Sequence, residues 1–400
     1  MSGIDDAVGA RATWSALVEP GDPVAGTLVG LLGATHALAW VRDAVRGGGA
    51  DLSALEELHG PLPDADRRRI GRALERWAVR LPGCDPLRDL DRLDRLGGSL
   101  LVPGDARWPT ALDDLGAETP FCLWVRGASD LAATLTRSAS VVGSRAATSY
   151  GERVAFDLAD GLGAAGVCVV SGGAYGIDAA AHRGAVARDG GTLVVLAGGV
   201  DRAYPAGNAR LLEAVVGAGG ALVSEVPPGS LPTKSRFLQR NRLIAAAGRA
   251  TVVVEAAWRS GAMSTAHHAA RLLRPVGAVP GPVTSMASAG CHRLLRDGVA
   301  VCVTDAVEVR ELAGLLGTEL LAGADADRSA DARAARPRDG LDAVAGRVLD
   351  ALPRRVPVEV DRLASASGVS VAEARAAMGL LELDGWAVRR GDGWVAARIS

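Results

Sequence analysis

A chain of 400 residues with 48% apolar side chains is long enough for two or three packed domains, and its net charge of −2 excludes a global attraction to nucleic acid. The five cysteines (Cys84, Cys122, Cys168, Cys291, Cys302) are scattered without a C-x-x-C pair, which argues against a zinc site or disulfide framework and predicts a reducing, cytoplasmic setting. The acidic start of the chain is unlike a signal peptide, and no apolar run reaches the roughly 18 residues that span a bilayer, so no membrane association is expected.

Residues 1–95 read as short amphipathic helices broken at Pro20-Gly21, Gly47-Gly48-Gly49 and Gly60-Pro61. Ile70, Leu74 and Trp77 repeat with helical period, and the whole fits a SAM-like or helix-hairpin-helix bundle that serves packing more often than DNA contact. Residues 96–317 form the predicted core. It opens with a β-rich run, 97–127, that includes Leu100-Leu101-Val102, Trp108-Pro109 and Phe121 to Val125, an edge extension of the main sheet. Strands are then expected near 140–142, 167–170, 193–196, 221–223, 251–254, 276–279 and 299–303. Helices are expected near 150–162, 177–187, 208–216, 239–247, 265–273 and 292–296. Continuous Val/Leu strands alternating with helices predict an α/β fold with a doubly wound, mostly parallel, extended Rossmann-like sheet. Residues 318–340, rich in Ala, Asp and Arg, read as a flexible linker. Residues 341–400 give three helices and a hairpin, the order of a winged helix.

Two halves of the stretch 140–178 each run strand, glycine turn, helix: Gly143-Ser144-Arg145 closes the first and Ser171-Gly172-Gly173 the second. Such turns bring main-chain N–H groups and a helix N-terminus to the carboxyl edge of a parallel sheet, where anions bind. The literal G-x-G-x-x-G at 161–166 follows a helix and precedes a strand, the reverse of a dinucleotide fingerprint, and Thr233 replaces the Walker glycine before Lys234-Ser235. His182 lies one turn after Asp178 and could pair with it. His267 and His268 are adjacent, face different ways and cannot ligate one metal together. The turn serines have no evident base beside them, so phosphate-binding serine is the better reading, and no catalytic residue, cofactor or metal is assigned. The segment 234–274 carries eight basic residues (Lys234, Arg236, Arg240, Arg242, Arg249, Arg259, Arg271, Arg274) against Glu255 alone. Lys234 is the chain's only lysine. Arg240-Asn241-Arg242 falls at a predicted helix start, where cations and N–H groups converge on phosphate. Phe237 could stack on a base, and Ser260-Gly261 opens a further small-residue cradle. The tail carries eight basic and eight acidic residues, so protein contact or wing-only DNA contact is expected there.

The segments VVGSRAATSYG, VVSGGAYGIDAAAHRGAV, TLVVLAGGVDRAYPAGN, LVSEVPPG, FLQRNRLIAAAGRATVVVEAAWRSGAMSTAHHA, VPGPV and HRLLRDG resemble the DprA/Smf family of DNA-processing proteins in order and spacing. The resemblance implies non-catalytic binding of single-stranded DNA, protection of incoming strands, loading of RecA recombinase during natural transformation, and work as a homodimer through the core. It implies phosphate contacts at Gly143, Ser144, Arg145, Ser171, Gly172, Gly173, Gly176, Arg240, Asn241 and Arg242, with Lys234, Ser260 and Gly261 as further members. The family usually has arginine where Tyr175 stands, which implies either a weakened phosphate contact or its replacement by stacking, and asparagine near Cys291. The rival from the same superfamily is a LOG-like nucleoside-monophosphate phosphoribohydrolase. Its PGGxGTxxE signature corresponds here to EAAWRSGAMSTAHHA, without the glutamate.

Overall fold

Helices α1 (Asp6–Leu17), α2 (Pro23–Leu32), α3 (Ala34–Gly47), α4 (Ser53–His59), α5 (Asp64–Arg80) and α6 (Pro86–Arg95) precede the first strand. The computed structural model describes residues 6–47, 52–188, 190–258, 260–315, 343–353, 357–383, 386–390 and 393–397. These fall into two units, Met1–Glu319 and Leu320–Ser400; the expected linker 318–340 lies outside the described residues. Asp22 caps α2 by accepting from the N–H groups of Val24 and Ala25, and Pro23 occupies the first helical position, where its missing N–H costs nothing. Trp14, Trp77 and Phe121 form the centre of the helical layer, Trp14 edge-on to Trp77 at 5.5 Å and stacked with Phe121 at 5.6 Å. The layer shares a core with the sheet: Ala12 and Leu93 pack with Cys122 and Trp124, and the Trp124 indole donates to Ser15 Oγ at 3.2 Å. Among the described residues no single helix is long and apolar enough to cross a membrane.

The sheet contains β1 (Ser99–Leu101), β2 (Leu123–Gly127), β3 (Ser138–Val142), β4 (Cys168–Ser171), β5 (Thr192–Leu196), β6 (Ala221–Ser224), β7 (Thr251–Val253), β8 (Val276–Ala278) and β9 (Val301–Cys302). Their order is β1-β2-β6-β5-β4-β3-β7-β8-β9. The antiparallel pairs β1/β2 and β2/β6 make the edge extension that the sequence predicts, and β3 to β9 are parallel. Trp108-Pro109 is not strand; a 3₁₀ segment, Thr110–Glu118, follows it, and the Trp108 indole bonds Asp113 at 2.9 Å. Successive strand residues point to opposite faces, so Val141, Val169 and Val252 join one core cluster while Val142, Val170 and Val253 join the other. Both faces are covered, by α8 (Ser149–Ala164), α9 (Ile177–Ala187), α11 (Lys234–Ala247) and α12 (Gly261–Arg271) among others. The helices α7 (Leu131–Leu135), α10 (Ala209–Gly217), α13 (Ala289–Arg296) and α14 (Ala306–Leu312) complete this unit.

From β3 the chain moves outward through β4, β5 and β6, then returns to lay β7 on the other side of β3. The reversal opens a crevice at the carboxyl ends of β3 and β7, the usual ligand position in such sheets. One boundary differs from the sequence reading in a way that matters. Helix α11 begins at Lys234, not near 239, because Thr233 caps it and accepts from the Arg236 N–H at 3.2 Å. Arg240-Asn241-Arg242 therefore lies inside the helix, not at its N-terminus.

The second unit has α15 (Ala343–Ala351), α16 (Val360–Ser367), α17 (Val371–Leu383) and the hairpin β10 (Ala387–Arg390) with β11 (Gly393–Ala396). That is the winged helix the sequence predicts. Ser370 and Glu373 form a reciprocal capping box at the start of α17, which holds the Glu373 carboxyl below its ordinary range. Arg375 stands exposed on that helix with Glu373 and Glu382, a balance unsuited to a phosphate surface.

Candidate nucleic-acid interface

The loop after β3 is tied down on both sides. Ser144 N–H donates to the Glu255 carbonyl at 2.8 Å, and Ser144 O accepts from Ile177 N–H at 3.1 Å. Glu255 itself is buried and accepts from the Thr148 N–H and hydroxyl, anchoring the entry to α8. The two glycine turns thus meet directly. Gly176 has φ +73°, and a Cβ there would strike Ser144 O and Arg145 O, so this junction requires glycine.

Around the junction lies a cleft of about 640 Å³, lined by Gly143, Ser144, Arg145, Asp178, Tyr204, Lys234, Phe237, Arg240, Asn241, Ser260 and Gly261, with other residues. Of the phosphate set, the structure brings together in this cleft Gly143, Ser144, Arg145, Lys234, Arg240, Asn241, Ser260 and Gly261. Asn241 donates to Gly261 O at 3.2 Å and so joins α11 to the start of α12. Ser260 precedes α12 without making a side-chain cap, and its Oγ is buried with no partner. The first N–H groups of α12 consequently carry the helix's positive end to the cleft wall.

The other members lie elsewhere. Ser171 is fully buried and spends its hydroxyl on Val141 O at 2.6 Å. Gly172 and Gly173 sit behind the cleft wall; a Cβ on Gly172 would collide with the Arg240 guanidinium. Arg242 is the largest correction. Its guanidinium is wholly buried, forms a two-point pair with Glu225 at 2.5 and 2.8 Å, and donates to Glu118 O at 2.7 Å. It faces away from the cleft because a buried acid waits on the other side of α11.

The +7 of segment 234–274 is likewise mostly consumed. Arg236 pairs with Glu19 at 2.9 Å, Arg274 with Asp114 at 2.9 Å, and Arg249 donates to Ala313 O. Arg259 lies outside the described residues. What the cleft keeps is exposed Lys234, exposed Arg145 and the buried Arg240.

Arg240 donates to the carbonyls of Gly172 (2.7 Å) and Val195, stapling α11 to the ends of β4 and β5. Burial pulls its guanidinium down to about 10, partly offset by Asp178, so it stays charged at neutral pH. Burial pushes the Asp178 carboxyl up, against the opposing charge of Arg240 and the Ala174 N–H bond. His182 does not pair with Asp178. Thr192 Oγ1 donates to Val169 O, so it must accept from His182 Nδ1–H at 2.8 Å, leaving a buried Nε2 unpartnered. Desolvation holds this imidazole neutral, its pKa lowered to about 3.

Two residues, Asn208 and Tyr204, escaped the sequence reading, and a third, Asp178, had another role there. Asn208 donates to Gly173 O and Ala174 O and fixes the second turn. Asp178 enters the cleft as a buried acid beside Arg240. Tyr204 lines the cleft from a loop beyond β5. An Asn and a Tyr among glycines and prolines were the available signal, but the carbonyls that Asn208 reaches lie 35 and 34 residues upstream and the ring beside Tyr204, that of Phe237, lies downstream.

Fold and crevice together define a Rossmann-like protein whose candidate site is the switch-point cleft of a doubly wound sheet. More particularly, the chain belongs to the DNA recombination-mediator protein A (DprA/Smf) family, whose model matches residues 99–314, followed by a match to the DprA winged helix domain at 332–393. A Mycobacterium tuberculosis relative bearing the DprA name is 45% identical over 362 residues, 86% of this chain and 90% of its own. Protein Smf of Escherichia coli is 38% identical over 211 residues, 53% of this chain and 56% of its own. The X-ray structure of DNA processing protein A from Streptococcus pneumoniae superposes with TM-score 0.58 at 28% identity, covering 77% of this chain and 98% of that one.

Proposed function

We propose that the chain binds single-stranded DNA in the switch-point cleft without catalysis, protects incoming strands, and loads RecA recombinase onto them during natural transformation. The observation that carries this reading is the cleft wall itself: exposed cations at Arg145 and Lys234, the uncapped start of α12, and the buried Arg240 behind them all line one open crevice. The contact set reduces to Gly143, Ser144, Arg145, Lys234, Asn241, Ser260 and Gly261, with Arg240 as a fixed charge behind the wall. Ser171, Gly172, Gly173 and Gly176 shape the turn rather than touch phosphate. Membership of a family described as recombination mediators supports the RecA link. We also propose a cytoplasmic homodimer through the core; the edge strand β9, with exposed Val301, supports that surface.

A second reading rests on Asp178, a buried acid lining the cleft: hydrolysis of a nucleoside monophosphate. Incubating the chain with a nucleoside monophosphate, and separately with a short single strand and the matching duplex, decides between them. The DNA reading expects tight single-strand binding, weaker duplex binding and no free base. Free base in proportion to protein would replace it with the hydrolase, and equal affinity for duplex would overturn the single-strand site.

A further inference from the structure

Phe237 was the residue expected to stack on a base, yet its ring already has company. The Arg145 guanidinium stands 4.7 Å from the ring centroid, that of Arg240 5.9 Å, and the Tyr204 ring 5.5 Å at a tilt of 47°. An arginine over an aromatic face gains electrostatic attraction from the ring quadrupole and loses freedom to swing into solvent. Phe237 therefore holds Arg145, the most exposed cation of the β3 loop, in one direction across the cleft. Tyr204 is the outer layer of this stack. It lines the same cleft, and 46% of its surface remains exposed.

The loop carrying Tyr204 is braced. Asn208 N–H bonds Pro205 O at 3.0 Å, and the Asn208 amide reaches back to Gly173 O and Ala174 O. Tyr175 completes the brace: its ring and hydroxyl lie against Gly207, where a Cβ would meet them. That placement gives Tyr175 a structural task in the second turn, supporting the loop rather than facing the cleft.

Building on the single-strand reading above, we propose that Tyr204 is the base-stacking platform of the cleft and Phe237 a positioning residue for Arg145. One nucleobase lies on the open face of Tyr204 while Arg145, held by Phe237, takes a neighbouring phosphate. The ligand class is any nucleobase, because every base presents a π-face and stacking is tolerant of sequence. Base and phosphate grip are then mechanically joined through one aromatic pair.

The test uses the full chain with oligothymidylate and with an abasic deoxyribose-phosphate oligomer of equal length. Tyr204→Ala should weaken oligothymidylate binding roughly tenfold or more, as loss of one stacked base implies, and leave the abasic oligomer within about twofold. Tyr204→Phe should restore the loss. Phe237→Ala should weaken both oligomers alike and flatten their salt dependence, because Arg145 is released. Equal losses on both oligomers for Tyr204→Ala, or none on either, would overturn the platform while leaving the single-strand reading intact. A wild-type chain that binds neither oligomer would overturn that reading and the platform with it.

Discussion

Arg145 and Arg242 carry the same charge on elements that meet at one sheet edge, yet they have opposite uses. Arg145 follows β3, is exposed, and lays its guanidinium over an aromatic ring. Arg242, inside α11, is buried against Glu225 and a main-chain carbonyl. The loop presents its charge; the helix consumes it. Counting cations along a segment therefore overstates a binding surface wherever acids from distant segments close over it.

Removing each arginine breaks the comparison most sharply. Arg242→Ala leaves Glu225 buried without its partner and should destabilise the fold by about 3–5 kcal/mol, read as a drop in denaturant midpoint. Arg145→Ala should leave that midpoint nearly unchanged. A stable Arg242→Ala protein with weakened DNA binding would reverse the assignment of the two residues.

Confined to acid, and so smaller at moderate pH, is the response of His182. Its folded pKa is depressed to about 3, so the folded protein keeps it neutral while the unfolded chain protonates it below its ordinary value of 6.5. Stability is thus complete above about pH 6.5 and is lost as pH falls toward about 3, on the order of 5 kcal/mol in all. His182→Asn, which retains a donor for Thr192, should flatten that part of the pH profile. Identical profiles for both proteins would show that the buried imidazole is not responsible.

The smallest effect is expected from the second unit. Deleting residues 341–400 should leave most single-strand affinity in place, since that segment carries as much acid as base and α17 more acid than base; the remaining residues form a unit of their own by contact. A large loss in a binding titration would assign the wing to DNA.

The sheet was legible because parallel strands buried on both faces leave continuous Val and Leu runs, and Val169, Val194 and Val252 stand where those runs place them. The doubly wound order and winged helix followed from the same patterns. The start of α11 was not legible: Lys234-Ser235-Arg236 has no apolar period, and only the Thr233 cap marks the boundary. Nor were the partners of the arginines. Glu19, Glu118 and Glu225 reach α11 from three separate segments, and Arg145 meets Phe237 across the sheet edge. Such pairings depend on which helices flank which strands, information a local charge count does not contain.

The most direct test of the cleft is a salt titration of oligothymidylate binding by the intact chain and by Arg145→Ala. The wild-type affinity should fall steeply and linearly on logarithmic axes, and the variant should bind more weakly with its slope reduced by about 0.7, one phosphate contact on a single strand. Superimposable titrations would contradict the placement of DNA phosphate at the β3 loop.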